Sequence, residues 1–378
     1  MKIALYGGAF NPVHNEHLNI VRAAIASLGL DKVIIMPTLI SPHKRGSVTI
    51  HPKDRLALCQ LAFAGVKEAE VSDDELKRGG VSYSYITCRA LKRRFPDDEL
   101  YFLMGGDMLE TFHLWKNPEE ILKCATLAVC ARGDDDINGA IRAFNGRYKR
   151  DIVKLNYVGK NISSTRVRTL AALGADLSEY LPNDVAKYIK ERSLYARPDL
   201  RAVKKYLTES RWRHTLRVAV AACENCRRFG IDEYDALTAA ALLDCAKCLD
   251  LSSPELAGFT PPEGVPEPVM HQYSGAYMAQ TVFGVTDKNI LNAIKYHTSA
   301  RPGMCDLEKL VFLADMLEEG RDFTGVEGLR KEFLKGLDEG LAAALAHQIK
   351  YLDSTGRPVY PLTRKAYNFI KENKNEQY

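Results

Sequence analysis

Apolar residues follow two different rhythms along this chain. Through the first half, short runs of consecutive apolar positions alternate with stretches whose apolar residues recur every three or four positions. Residues 2–8 ("KIALYGG") read as a buried strand, and 17–28 as a helix ended by Gly29. "DKVIIMPT" reads as a strand, "RLALCQLAFAG" and "SYSYITCRALKRRF" as helices, and "LYFLMGGD" as a strand. "PEEILKCA" then reads as helix, "TLAVCARG" and "IVKLNYV" as strands, and "SSTRVRTLAALG" as the helix that closes the series. Strand alternating with helix predicts an α/β doubly wound fold, a parallel sheet covered on both faces.

From about residue 200 the strand signal disappears. "HTLRVAVAACENCRRFG", "EYDALTAAALL", "NILNAIKYHT" and "LEKLVFLADMLEEG" are successive amphipathic patterns, which predict an all-α unit. The rhythm changes at "SLYARPDL", so the expected domains are 1–196 and 197–378. "DDD" at 134–136 reads as a solvated loop and "KENKNEQY" as a polar tail.

Composition narrows the function classes. The chain has 378 residues and a net charge of +4, too small an excess to point to nucleic acid. The opening "MKIALYGGAF" does not read as a secretory signal, and no apolar run reaches the length of a membrane span. Nine scattered cysteines fit reduced thiols, so the cytoplasm is the expected location, with no membrane partner.

The first candidate chemistry is "GGAFNPVHNEH", directly after the first strand. Gly7 and Gly8 permit close backbone approach at the strand's carboxyl end, where open α/β sheets bind ligands. His14 and His17, three apart at a helix start, point from one face and join the unpaired backbone N–H groups as donors for phosphate oxygens. "ISSTRVR" at 162–168 is a second such helix start, with Ser163, Ser164, Thr165 and Arg168; "SPHK" adds His43 and Lys44. An N-cap explains Ser163 or Ser164, but not the arginines as well. Three donor-rich elements at one sheet edge suit a triphosphate.

With "GGAFNPVHNEH", "PHK", "SYSYIT", "GGDM", "LWKNPEEIL" and "ISSTRVR" in order, residues 1–195 resemble bacterial nicotinate-mononucleotide adenylyltransferases. The resemblance implies a Rossmann-like nucleotidyltransferase that moves AMP from ATP to nicotinate mononucleotide, releasing pyrophosphate, with Mg²⁺ on the phosphates. It implies that His14, His17, Lys44 and Arg168 serve catalysis, and that Gly7, Gly8, Phe10, Gly106, Asp107, Ser163, Ser164 and Thr165 contact ATP. Ser84, Thr87 and Trp115 would meet the mononucleotide, with Trp115 stacking on the pyridine ring. Alone, Trp115 reads equally well as a half-buried aromatic. The chain departs from the family at Glu16, where glycine is usual, and at Asn11, where aspartate is commoner. A carboxylate at position 16 would repel phosphate unless it turned to solvent.

The second candidate chemistry is a set of polar residues on helix faces that ought to be apolar. Asp244 in "AALLDCAK" and Asp315 in "KLVFLADMLEE" would be costly if buried alone, and His214, His271 and His297 lie on other helices. Imidazole plus carboxylate inside a helical bundle suits iron, manganese or zinc. A rival zinc site from "CENC" and "CAKC" is disfavoured, because both pairs fall in helical patterns.

Through "RHTLRVA", "LLDCAK", "HQYSGAYMAQTVFGV", "ILNAIKYHTSARPGM" and "FLADMLEEGRDFTGV", residues 200–370 resemble HD-type phosphohydrolases of the diadenosine tetraphosphate hydrolase kind. The resemblance implies a two-iron centre held by His214, Asp244, His271, His297 and Asp315, with Asp244 shared, and Lys247 and Arg321 on substrate phosphate. The doublet that names the family reads Leu243-Asp244 here. By analogy the missing imidazole belongs with His214 and Asp315, so a one-iron or incomplete centre with impaired hydrolysis is expected. Two alternatives stay open: the second half is a non-catalytic nucleotide-binding or dimerisation module, giving a homo-oligomer, or the first half uses another acceptor such as phosphopantetheine.

Overall fold

The computed structural model describes residues 1–41, 49–133 and 137–375. The described chain divides into two compact units, Met1–Arg168 with Asp176–Tyr195, and Thr169–Ala175 with Ala196–Tyr378.

The first unit is built on six parallel strands: β1 (Lys2–Gly8), β2 (Lys32–Pro37), β3 (Ala69–Val71), β4 (Glu99–Gly105), β5 (Thr126–Arg132) and β6 (Val153–Gly159). Their order in the sheet is β3-β2-β1-β4-β5-β6. Seven helices of seven residues or more accompany them: α1 (Asn15–Leu28), α2 (Pro52–Phe63), α3 (Ser84–Arg94), α4 (Pro118–Cys124), α5 (Ile137–Tyr148), α6 (Ser164–Leu173, of which Ser164–Arg168 belongs to this unit) and α7 (Asn183–Glu191). Alternate strand residues bury opposite faces. Ile3, Leu5, Ile34, Met36, Phe102, Met104, Leu127 and Val129 join one core with Phe112 and Ile121, while Ala4, Val33, Ile35, Leu103 and Ala128 are buried on the other face. Burial on both faces is why these strands are nearly continuous apolar runs.

Strand order reverses between β1 and its two neighbours, Leu5 pairing with Ile34 of β2 and with Phe102 of β4. The carboxyl ends of β1 and β4 are therefore the usual ligand position in such sheets. Gly7–Gly8 and Gly105–Gly106 stand at those two ends.

The second unit is helical: α8 (Glu209–Cys226), α9 (Glu233–Leu242), α10 (Glu267–Thr281), α11 (Lys288–Lys295), α12 (Asp306–Leu317), α13 (Val326–Phe333), α14 (Leu337–Ser354) and α15 (Pro361–Asn375). The middle of α9 is Ala, Leu and Thr and is buried all round, as a central helix must be.

Three local readings are corrected. β3 and α5 carry too weak an apolar rhythm to be read from sequence. The segment read as a polar tail continues α15 to Asn375, since no residue there breaks a helix. α9 ends at Leu242, so Asp244 and the "CAKC" pair sit in the following turns rather than within a helix. The "DDD" loop lies outside the described residues.

Candidate functional site

In the first unit the loop after β1 folds back on itself. A Cβ on Gly8 would lie 3.2 Å from the Phe10 ring, so glycine makes room for that ring. Phe10 is buried, with the ring of Tyr6 at 5.5 Å and that of His17 at 5.0 Å, so it anchors the loop internally. His14 caps α1, and its backbone N–H donates to His17 Nδ1 at 3.0 Å. With Nδ1 accepting, a neutral His17 carries its proton on Nε2. The two imidazole rings lie 3.8 Å apart.

The start of α6 is laced to this loop. Ser164 Oγ donates to Pro12 O at 2.9 Å, and Arg168 donates to Asn11 O at 2.9 Å and to Thr165 Oγ1 at 3.1 Å. Ser163 Oγ accepts from the Arg166 N–H at 3.0 Å, the N-cap contact. Arg168 is buried, so its fork fixes one helix start against the other. Asn11 Oδ1 accepts from Tyr195 Oη at 2.8 Å.

Glu16 neither points to solvent nor faces the phosphate donors. It is 3% exposed and accepts from Tyr157 Oη and the Lys160 N–H, both at 2.8 Å, and from Asn19 at 2.9 Å. The feared repulsion is absent because the carboxylate is consumed in tying α1 to the end of β6. Arg55, which the sequence reading passed over, is buried and donates to Ala9 O at 2.7 Å and Leu39 O at 3.2 Å. A charged residue at a helix face gave no signal separating it from a solvated one.

Beyond β4, Gly106 is buried and Asp107 is exposed at the start of a short helix, Gly106–Glu110. A Cβ on Gly105 would come within 2.6 Å of Asp107 Oδ1, so only glycine admits that carboxylate position. Trp115 is half-buried, with the rings of Phe102 at 5.9 Å and Phe112 at 5.3 Å. Ser84 begins α3 and is partly buried. Thr87 is buried and its hydroxyl donates to Glu75 while accepting from Arg78, so it is turned into the protein. Lys44 and His43 lie outside the described residues.

In the second unit all five expected ligands converge. Asp244 is 2% exposed and its two oxygens face different groups. Oδ1 makes no hydrogen bond among the described residues and lies 3.4 Å from His271 Nε2 and 3.6 Å from His297 Nε2, which are 3.2 Å apart. His297 Nδ1 is 2.7 Å from Ile294 O, which fixes its proton there and turns the Nε2 lone pair inward. Burial, with the charges of His297 and Lys247, pushes the His271 pKa down to about 3, so its ring is neutral. An orphaned carboxylate oxygen facing two imidazole nitrogens fits one metal ion; Asp244, His271 and His297 form a compact three-donor group.

The other side differs. Asp244 Oδ2 accepts from Arg211 at 2.9 Å and lies 3.9 Å from His214 Nε2. His214 sits between two carboxylates, Asp315 at 2.8 Å and Glu318 at 3.1 Å. Burial alone would lower the His214 pKa, but these two hydrogen bonds outweigh it and raise it. Asp315 Oδ1 also accepts from Arg321 at 3.0 Å. Leu243 is fully buried and offers no lone pair. Among the described residues this side forms no three-donor group, and the Asp244 and Asp315 carboxylates are already held by guanidinium groups.

Lys247 lies 2.9 Å from His271 Nε2, and burial lowers its pKa. Glu318, Arg211 and Arg217 were missed in the sequence, though Arg211 and Glu318 stand three residues from His214 and Asp315, a spacing that shares a helix face. Among the described residues the "CENC" and "CAKC" thiols form no four-donor group, and all nine cysteines are free.

Known proteins resemble both halves. The cytidylyltransferase-like family matches residues 5–170, and the HD domain family matches 211–320. A Mycoplasma genitalium protein named "Probable nicotinate-nucleotide adenylyltransferase/Ap4A hydrolase" is 32% identical over 327 residues, 85% of this chain and 88% of its own. One of the same name in Mycoplasma pneumoniae is 28% identical over 372 residues, 98% of this chain and 100% of its own. A Neisseria meningitidis protein named "Probable nicotinate-nucleotide adenylyltransferase" is 35% identical over 199 residues, 51% of this chain and 98% of its own.

Proposed function

We infer the chemistry from one premise: the chain belongs to the family of nicotinate-nucleotide adenylyltransferase/Ap4A hydrolases, which join a nucleotidyltransferase to an HD domain. The first unit transfers AMP from ATP to nicotinate mononucleotide, giving deamido-NAD and pyrophosphate. A phosphate oxygen of the mononucleotide attacks the α-phosphorus, and the bond from that phosphorus to the pyrophosphate oxygen breaks. No protein nucleophile is needed; the chain positions the reactants and stabilises charge.

The observation that carries this reading is the pairing of two helix starts at the sheet's switch point, with Ser164 and Arg168 bonded to the β1–α1 loop. His14, His17, the N-cap hydroxyl Ser163 and the α6 hydroxyl Thr165 present donors to the ATP phosphates, with Lys44 closing the set. Gly106 and Asp107 take the adenosine ribose, and Trp115 with Ser84 takes the pyridine mononucleotide. Thr87 supports that side by bonding its hydroxyl to Glu75 and Arg78 rather than to the mononucleotide. Mg²⁺ accompanies ATP as part of the substrate.

In the second unit Asp244, His271 and His297 would hold one ion, with iron as our choice, and Lys247 and Arg321 would meet substrate phosphate. Such an ion, when bound, polarises a phosphoryl oxygen and makes water acidic enough to act near neutral pH. The chain holds two imidazoles and one carboxylate for it, and Leu243 offers no ligand for a second. Diadenosine tetraphosphate is the candidate substrate, with hydrolysis impaired. A second reading, a binding module without turnover, is favoured by the same Leu243. The free thiols fit a cytoplasmic protein, and among the described residues no helix is long and apolar enough to cross a membrane.

Pyrophosphate release from ATP should require nicotinate mononucleotide and fail with phosphopantetheine. Equal release with phosphopantetheine would sink the assignment of acceptor.

A further inference from the structure

We infer that Arg211 stands, with a fixed guanidinium charge, in the place of a second cation of the HD centre, and that it grips a phosphoryl oxygen of the ligand there. This rests on the one-metal reading above. Arg211 lies one helical turn before His214 on α8, on the same face. Its Nη1 donates at 2.9 Å to Asp244 Oδ2, the oxygen turned toward His214 and away from the three-donor group. Arg321 does the same for Asp315 at 3.0 Å. The two carboxylates on which a second ion would depend are thus each neutralised by a side chain, and Leu243, the residue before Asp244, is buried in the apolar core and cannot coordinate.

The arrangement also selects a ligand class. The Arg211 side chain is 31% exposed, and among the described residues its guanidinium is bonded only to Asp244, so further N–H groups of its planar fork stay open. That fork matches a phosphate in geometry and charge. Lys247, beside His271, supplies a cation on the other side of Asp244. A phosphoryl group held by Arg211 would therefore sit next to the single ion. A guanidinium keeps the charge of the absent ion but cannot acidify water, so retention of phosphate ligands with slow turnover follows.

The test uses the full chain loaded with Co²⁺, whose visible absorption reports only on its own ligand field. Inorganic phosphate is titrated into wild type, Arg211→Ala and Arg211→Lys, and bound Co²⁺ is counted in each. The expected result is one Co²⁺ per chain in all three. The phosphate half-saturation should rise about 10- to 100-fold in Arg211→Ala, the loss of one charge-assisted contact, and less in Arg211→Lys. Unchanged phosphate titration in the variants would overturn the inference. So would loss of Co²⁺ from both, which would reduce Arg211 to a counter-charge for Asp244. Should Arg211→Ala not fold, Arg211→Lys decides alone. Wild type holding no Co²⁺, or two, would instead defeat the one-metal reading beneath it.

Discussion

Arg211 and Asp244 form an ion pair of 2.9 Å on one oxygen of a carboxylate whose other oxygen faces two imidazole nitrogens. One buried side chain therefore divides the centre into a half built for a metal and a half filled by protein cations. The division sorts the five expected ligands into unequal roles. His297→Ala and His271→Ala should each abolish tight metal binding. His214→Ala should leave the metal count unchanged, because His214 bonds carboxylates instead. Metal analysis after dialysis reads this directly, and equal losses in all three variants would contradict it.

Leu243→His places an imidazole at a fully buried position. Without metal the ring has no assured partner, and burying an unsatisfied polar group costs about 1–3 kcal/mol. The melting temperature of the metal-free variant should fall below wild type. Added metal should reverse the order. A variant less stable under both conditions would mean that position 243 faces the apolar core and not the centre.

The ion pairs of His214 make stability depend on pH in both directions. His214 has a raised pKa, so its contribution is fully present below its unfolded value and fades as pH rises through the folded one. Burial alone would raise the Glu318 pKa, but His214, Arg217 and the Gly320 N–H hold it down to about 2 from 4.5. Its contribution, on the order of 3 kcal/mol, is therefore present above pH 4.5 and lost as pH falls toward 2. The metal-free chain should be most stable in mildly acidic solution. Glu318→Gln should flatten the acid limb, and melting curves across pH would show it.

Glu16 is buried and structural. Glu16→Gly would strand the Tyr157 hydroxyl and the Lys160 N–H, at a cost of about 1–3 kcal/mol. Burial first, and then the Glu16 carboxylate, pushes the Tyr157 phenol up to about 12. In Glu16→Gln that value should fall toward the ordinary range, visible by ultraviolet titration. Turnover should drop modestly, whereas His17→Ala, which removes a donor at the phosphates, should lower kcat about 10²- to 10³-fold.

Much of this was legible in the sequence. The apolar runs of β1, β2, β4 and β5 marked buried parallel strands, and "GGAFNPVHNEH" marked the switch-point loop. The polar interruptions at Asp244 and Asp315 marked the second centre because a lone buried carboxylate is too costly to leave unexplained. What escaped depends on contacts distant in sequence. Glu16 meets Tyr157 and Lys160, and Arg55 meets Ala9 and Leu39. A buried, satisfied charge and a solvated one share the same local pattern. Arg211 and Glu318 escaped for the same reason.

The most direct measurement counts tightly bound metal per chain in wild type and in Leu243→His, each purified with iron supplied. The account expects about one ion in wild type and about two in the variant, with diadenosine tetraphosphate cleavage rising alongside the second. Two ions in wild type, with cleavage equal to that of the variant, would contradict it and require another residue to complete the centre.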